Sequence, residues 1–107
     1  MSRLVTLCPA DDVWEGAIRG AELPGGHKIA LYRLGEEVFA TDDTCTHEAA
    51  SLSEDGSIIA DRVECGWHNC QFEIRTGAAC QSPCSEALKT WPLRVVEGHV
   101  CVELPDS

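Results

Sequence analysis

Two short segments concentrate the residues that could hold a metal: Cys45-Thr46-His47 and Cys65-Gly66-Trp67-His68, with seventeen residues between His47 and Cys65. Either segment alone is a weak signal, because Cys-x-His and Cys-x-x-His arise often by chance. Together they supply two thiolates and two imidazoles from two loops, enough for one complete site. Each pair sits among small or turn-forming residues, where backbone can bend round a cofactor. Two occupants compete for that donor set. Zn²⁺ accepts a tetrahedral Cys₂His₂ set and would staple the fold. A [2Fe–2S] cluster can split the set instead, two Cys on one iron and two His on the other. A Cys-x-His pair reaches across a loop without putting both side chains on one ion, and zinc sites more often use Cys-x₂-Cys or His-x₃-His locally. The residues favour iron–sulfur and leave zinc open.

The rest of the cysteine count agrees with a metal site. Seven cysteines is high for 107 residues, and an odd number argues against a disulfide framework. Cys8 and Cys101 lie in strand-like runs and read as small buried residues. Cys80 and Cys84 have a spacing that allows pairing but are expected to be reduced thiols. His27 and His99 sit beside glycine and read as solvated turn residues. The N-terminal stretch MSRLVTLCPADDVWEG turns acidic without a long apolar run, so a signal peptide is not expected, and no run approaches a membrane span. The expected location is the cytoplasm. Eighteen acidic against eight basic residues give a formal charge of −10, which argues against nucleic acid and against anionic membranes. Such a surface suits a basic protein partner, or simply keeps the chain soluble.

The elements that would position these ligands look like strands. Leu4–Leu7, Lys28–Leu34, Val38–Thr41, Ile58–Cys65, Gln71–Arg75, Leu93–Val96 and Val100–Leu104 are short runs punctuated by Gly, Pro and Asp. Two hairpins are expected, at Gly35-Glu36-Glu37 and at Glu97-Gly98-His99. The pattern is all-β, an antiparallel sandwich or small barrel in a single domain over residues 1–107. Residues 44–83, rich in Cys, Ser, Gly and Ala, read as an insertion stapled by the metal.

The two ligand segments, their spacing and the surrounding sequence resemble a known family. CTHEAASLSEDGSIIADRVECGWHNCQFEIRTGAAC is similar to the cluster-binding region of Rieske-type [2Fe–2S] ferredoxins from bacterial aromatic ring-hydroxylating dioxygenase systems. PCSEALKTWPLRVVEGHVCVEL resembles their Pro-containing loop and closing hairpin, so the likeness covers nearly the whole chain. It implies the Rieske fold and one [2Fe–2S] cluster per chain held by Cys45, His47, Cys65 and His68. Near these ligands Trp67 reads as a shield for the cluster or an ordinary loop aromatic, Cys70 as a weak donor or merely a small buried residue, and Pro83 as part of the covering loop. The family usually has Pro after the second Cys and Gly after the second His, where this chain has Gly66 and Asn69. Neither is a ligand, but the local backbone is affected.

The resemblance also separates two potential classes. Respiratory Rieske proteins carry a disulfide between the ligand loops, and the matching positions here are Ala50 and Trp67. Their Ser and Tyr hydroxyls on the cluster sulfurs fall at Cys70 and Phe72, where a thiol is a weak donor and a phenyl ring none. A potential at the low end of the Rieske range, roughly −150 mV, is therefore expected. The role implied is a monomeric one-electron carrier, not itself an enzyme, between an NAD(P)H-dependent flavin reductase and a terminal oxygenase. Two alternatives stand beside it: a Rieske-like small subunit of another reductase or monooxygenase, and a zinc-stapled interaction module.

Overall fold

The apolar run Lys28–Leu34 needs cover on both faces, and this dictates the layering. The computed structural model describes residues 2–45, 51–65, 70–80 and 86–105. Its strands are β1 (Ser2–Pro9), β2 (Arg19–Glu22), β3 (Lys28–Leu34), β4 (Glu37–Asp42), β5 (Ser57–Ile59), β6 (Arg62–Glu64), β7 (Gln71–Glu73), β8 (Thr90–Trp91), β9 (Leu93–Val96) and β10 (His99–Pro105). A four-residue helix, α1 (Leu52–Asp55), precedes β5, and a 3₁₀ turn at Ala10–Asp12 follows β1. All the ladders are antiparallel, in three sheets ordered β1-β10-β9, β2-β3-β4-β8 and β5-β6-β7. The all-β expectation holds.

Strand alternation sends successive β3 side chains to opposite faces. Ile29 and Leu31 pack with Val100, Val102 and Leu104 of β10, filling the core toward the first sheet. Ala30 and Tyr32 point the other way and pack with Val63 of β6 and Phe72 of β7. The central sheet is thus covered on both sides, which is why Lys28–Leu34 reads as a nearly unbroken apolar run. Burial pushes the Tyr32 phenol far above its ordinary range; the Thr41 hydroxyl opposes the shift and the nearby Asp43 carboxylate adds to it. Thr41 Oγ1 donates to the Asp42 carbonyl at 2.9 Å, so the Tyr32 hydroxyl donates to Thr41 Oγ1 at 2.8 Å.

Both expected hairpins are present. Gly35 opens the β3–β4 turn at φ +66°, and Glu97 and Gly98 turn β9 into β10 at φ +50° and +78°. Ile58–Cys65 is not the single strand expected. It folds into the β5–β6 hairpin, with Ile58 opposite Val63 and Ala60 at φ +56° in the turn. An alanine at that turn position costs about 1 kcal/mol, and with Asp61 as its one turn-forming residue the run carries a weak turn signal. β2 was also hidden: Arg-Gly-Ala-Glu has no apolar alternation, and it is a strand because β3 offers it an edge. In the described residues no helix is long and apolar enough to cross a membrane.

The turn after β7 leaves no space for a side chain at Gly77. Gly77 N–H donates to the Glu73 carbonyl at 2.7 Å, and its own carbonyl accepts from Leu88 N–H at 2.8 Å. Its φ is +78°, and a Cβ there would collide with the Leu88 carbonyl oxygen. Gly98 shares the φ but faces open space. Gly77→Ala should therefore cost about 3 kcal/mol or more in urea unfolding, against about 1 kcal/mol for Gly98→Ala. Equal losses would contradict the close approach at Gly77.

Candidate metal centre

Strand ends place both candidate cysteines. Cys65 follows β6 directly, and Cys45 follows β4 after Asp43 and Thr44. Both are buried, at 3% exposure for Cys45 and 1% for Cys65. They belong to one apolar cluster with Leu52, Val63, Phe72 and Leu88, and neither is in a disulfide. The structure thus brings together the two thiols that the sequence pairs.

Each ligand segment is closed at its base by backbone. Leu52 N–H donates to the Asp43 carbonyl at 2.7 Å, and Thr44 and Ser51 form an antiparallel bridge just inside it. Cys65 N–H donates to the Cys70 carbonyl at 2.7 Å, closing the second segment where β7 begins. Residues 46–50, 66–69 and 81–85 lie outside the described residues, so His47, Trp67, His68, Pro83 and Cys84 lie there too. Two reduced sulfurs in one water-excluding core, each at the foot of a closed loop, fit the thiolate half of the Cys₂His₂ set. Both zinc and a [2Fe–2S] cluster meet that requirement.

Of the remaining cysteines and histidines, Cys70 and His27 differ from expectation. Cys70 is fully buried but disulfide-bonded, so it has no S–H to offer a cluster sulfur. Phe72 is fully buried beside it and presents only its ring. Cys80 is a reduced thiol whose S–H reaches the Ala78 carbonyl at 3.5 Å. Cys8 and Cys101 are buried strand residues as read; burial pushes the Cys8 thiol up, with Arg19 pulling the other way. His27 is not merely solvated. Its Nε2 lies 2.7 Å from Asp42 Oδ1, which also accepts from Trp91 Nε1 at 2.9 Å. His99 is exposed, with Nδ1 3.2 Å from the Glu97 carbonyl.

The sequence reading missed the group that joins this site to the sheet. Asp43 is 4% exposed, and its carboxylate accepts from Ser51 Oγ at 2.6 Å and from Ser53 N–H at 2.8 Å. The available signal was Ser51-Leu52-Ser53-Glu54, a Ser-x-x-Glu helix start, in which Ser51 Oγ accepts from Glu54 N–H at 3.3 Å.

Two buried thiols just past β4 and β6 give a candidate metal centre and leave its occupant open. Residues 3–92 match the family described as the Rieske [2Fe-2S] domain, and the chain belongs to that family. It is 50% identical over 104 residues to the ferredoxin component of the p-cumate 2,3-dioxygenase system of Pseudomonas putida, covering 97% of this chain and 88% of that protein. The Sphingomonas yanoikuyae B1 ferredoxin superposes with a TM-score of 0.90 at 34% identity, covering 96% of this chain and 100% of the other. A chain of the complex of reduced oxygenase and oxidized ferredoxin in carbazole 1,9a-dioxygenase gives 0.85 at 40% identity, covering 92% and 91%. The cofactor is a [2Fe–2S] cluster, and the zinc alternative is set aside.

Cys45→Ser and Cys65→Ser should each yield protein without the cluster chromophore and with iron near background, while far-ultraviolet dichroism reports the β-fold. Iron at the wild-type level in either variant would remove that residue from the ligand set.

Proposed function

We propose that the chain is the low-potential ferredoxin component of a multicomponent aromatic ring-hydroxylating dioxygenase. It takes electrons one at a time from an NAD(P)H-dependent flavin reductase and passes them to the terminal oxygenase. What carries this reading is that the relatives named above match along nearly their whole length. All are ferredoxins, one the component of a dioxygenase system and one in a structure with its oxygenase.

When bound, the cluster supplies a one-electron Fe(III)/Fe(II) couple. Cys45 and Cys65 would hold one iron, and the core around Phe72 and Leu88 keeps water from their sulfurs. His47 and His68 would hold the second iron, and electrons would enter and leave through them. Segment 44–83 would bear the cluster, with Trp67 and Pro83 proposed as its cover. The potential is low because the two positions that carry hydroxyl donors in high-potential relatives offer none. Cys70 carries no hydroxyl, and Phe72 presents only its ring. The formal charge of −10 disfavours a further negative charge and steers the protein toward basic partner faces. The protein works as a monomer in the cytoplasm, where NAD(P)H supplies the reductase.

The test is an anaerobic mixture of this protein with NADH and a catalytic amount of the p-cumate system's reductase. Its visible band should bleach, recover on adding the oxidised terminal oxygenase, and bleach more slowly as salt rises. A protein that reductase and NADH leave fully oxidised, although dithionite reduces it, would contradict the proposed role.

A further inference from the structure

Asp43 supplies no cluster ligand, yet among the described residues it is the charged side chain that is buried. A buried carboxylate costs several kcal/mol in lost hydration unless it is well hydrogen-bonded. Here both oxygens are engaged: Oδ2 by the Ser51 hydroxyl and Oδ1 by Ser53 N–H. The backbone of the same residue works in both directions. Its N–H donates to the Lys28 carbonyl of β3 at 3.2 Å, and its carbonyl accepts from Leu52 N–H at 2.7 Å. One residue therefore grips the central sheet on one side and three successive residues, Ser51 to Ser53, on the other. Cys45 lies in the segment that runs from Asp43 to Ser51.

No Arg or Lys forms an ion pair with this carboxylate among those the structure describes. Lys28 is the basic residue lining the cleft beside it, together with Glu22 and Glu54. Asp43 and Cys45 are two residues apart, so their Cα atoms are at most about 7 Å apart. That is inside a Debye length of about 10 Å, and burial reduces screening further.

We propose that Asp43 is the positioning residue of the first ligand segment, and that its buried charge helps hold the cluster potential down. The proposal rests on Cys45 being a cluster ligand. Adding an electron beside a fixed anion is opposed by Coulomb repulsion, so the carboxylate favours the oxidised state. Its hydrogen bonds to Ser51 and Ser53 keep the ends of the segment from parting, which keeps chelators and water from the iron.

The experiment compares wild-type, Asp43→Asn and Ser51→Ala holoproteins by EPR-monitored redox titration and by the rate of bleaching under an iron chelator. Ser51→Ala keeps the charge and removes one grip, so it should bleach roughly tenfold faster with no upward shift of midpoint. Asp43→Asn keeps the side-chain shape and removes the charge, so its midpoint should rise above wild type. Should Asp43→Asn take up no iron, that loss supports positioning, and Ser51→Ala alone carries the test. A Ser51→Ala protein that bleaches as slowly as wild type, or whose midpoint rises, overturns the proposal; so does a loaded Asp43→Asn protein with the wild-type midpoint. A wild-type protein without a Rieske EPR signal would instead sink the cluster reading itself, so the two failures are distinguishable.

Discussion

A cluster shared by two chain segments can be held only if each segment returns close to where it left. Ordering a loop costs roughly 1 to 2 kcal/mol per residue in backbone entropy, and the ligands must stay in register for the cluster to survive. The chain meets this constraint with backbone bonds at the feet of both loops. The Asp43 carbonyl accepts from Leu52 N–H, and the Cys70 carbonyl accepts from Cys65 N–H, each at 2.7 Å. The loops leave from strands, so the ladders of β4, β6 and β7 fix the geometry of departure and return. Ligand identity alone would not produce a site; closed loops on a rigid sheet do.

The rest of the architecture supports those closures. The central sheet presents one face to the β1-β10-β9 core and the other to the core that contains Cys45 and Cys65. Strand β3 contributes to both, so packing on the far side of the molecule stiffens the wall against which the thiols lie. Tandem Asp42 and Asp43 use the same alternation. One carboxylate turns outward to His27 and Trp91, and its neighbour turns inward to Ser51 and Ser53. Identical residue types thus meet different surroundings, one partly solvated and one dry.

Much of this was legible in the sequence, for physical reasons. Cys-x-His and Cys-x-x-His announce their chemistry because few side chains can bind a metal. Lys28–Leu34 announces a central strand because both of its faces are buried. Glu97-Gly98 announces a hairpin because Gly tolerates positive φ. The hidden parts are those set by tertiary context. Ala60 occupies a turn position for which it has no preference, so Ile58–Cys65 reads as one strand. β2 is a strand only because β3 has an open edge. The inward role of Asp43 cannot be read from its type, since an Asp after a strand is ordinarily solvated. The state of Cys70 depends on a partner in three dimensions that spacing does not identify.

The most direct test of the account is the EPR spectrum of the dithionite-reduced protein, taken with its redox midpoint. A [2Fe–2S] centre with two imidazoles on one iron and no hydroxyl donors should give a Rieske-type signal and a midpoint near roughly −150 mV. A midpoint of several hundred millivolts positive would contradict the assignment of a low-potential carrier. An EPR-silent, colourless protein would contradict the cluster itself.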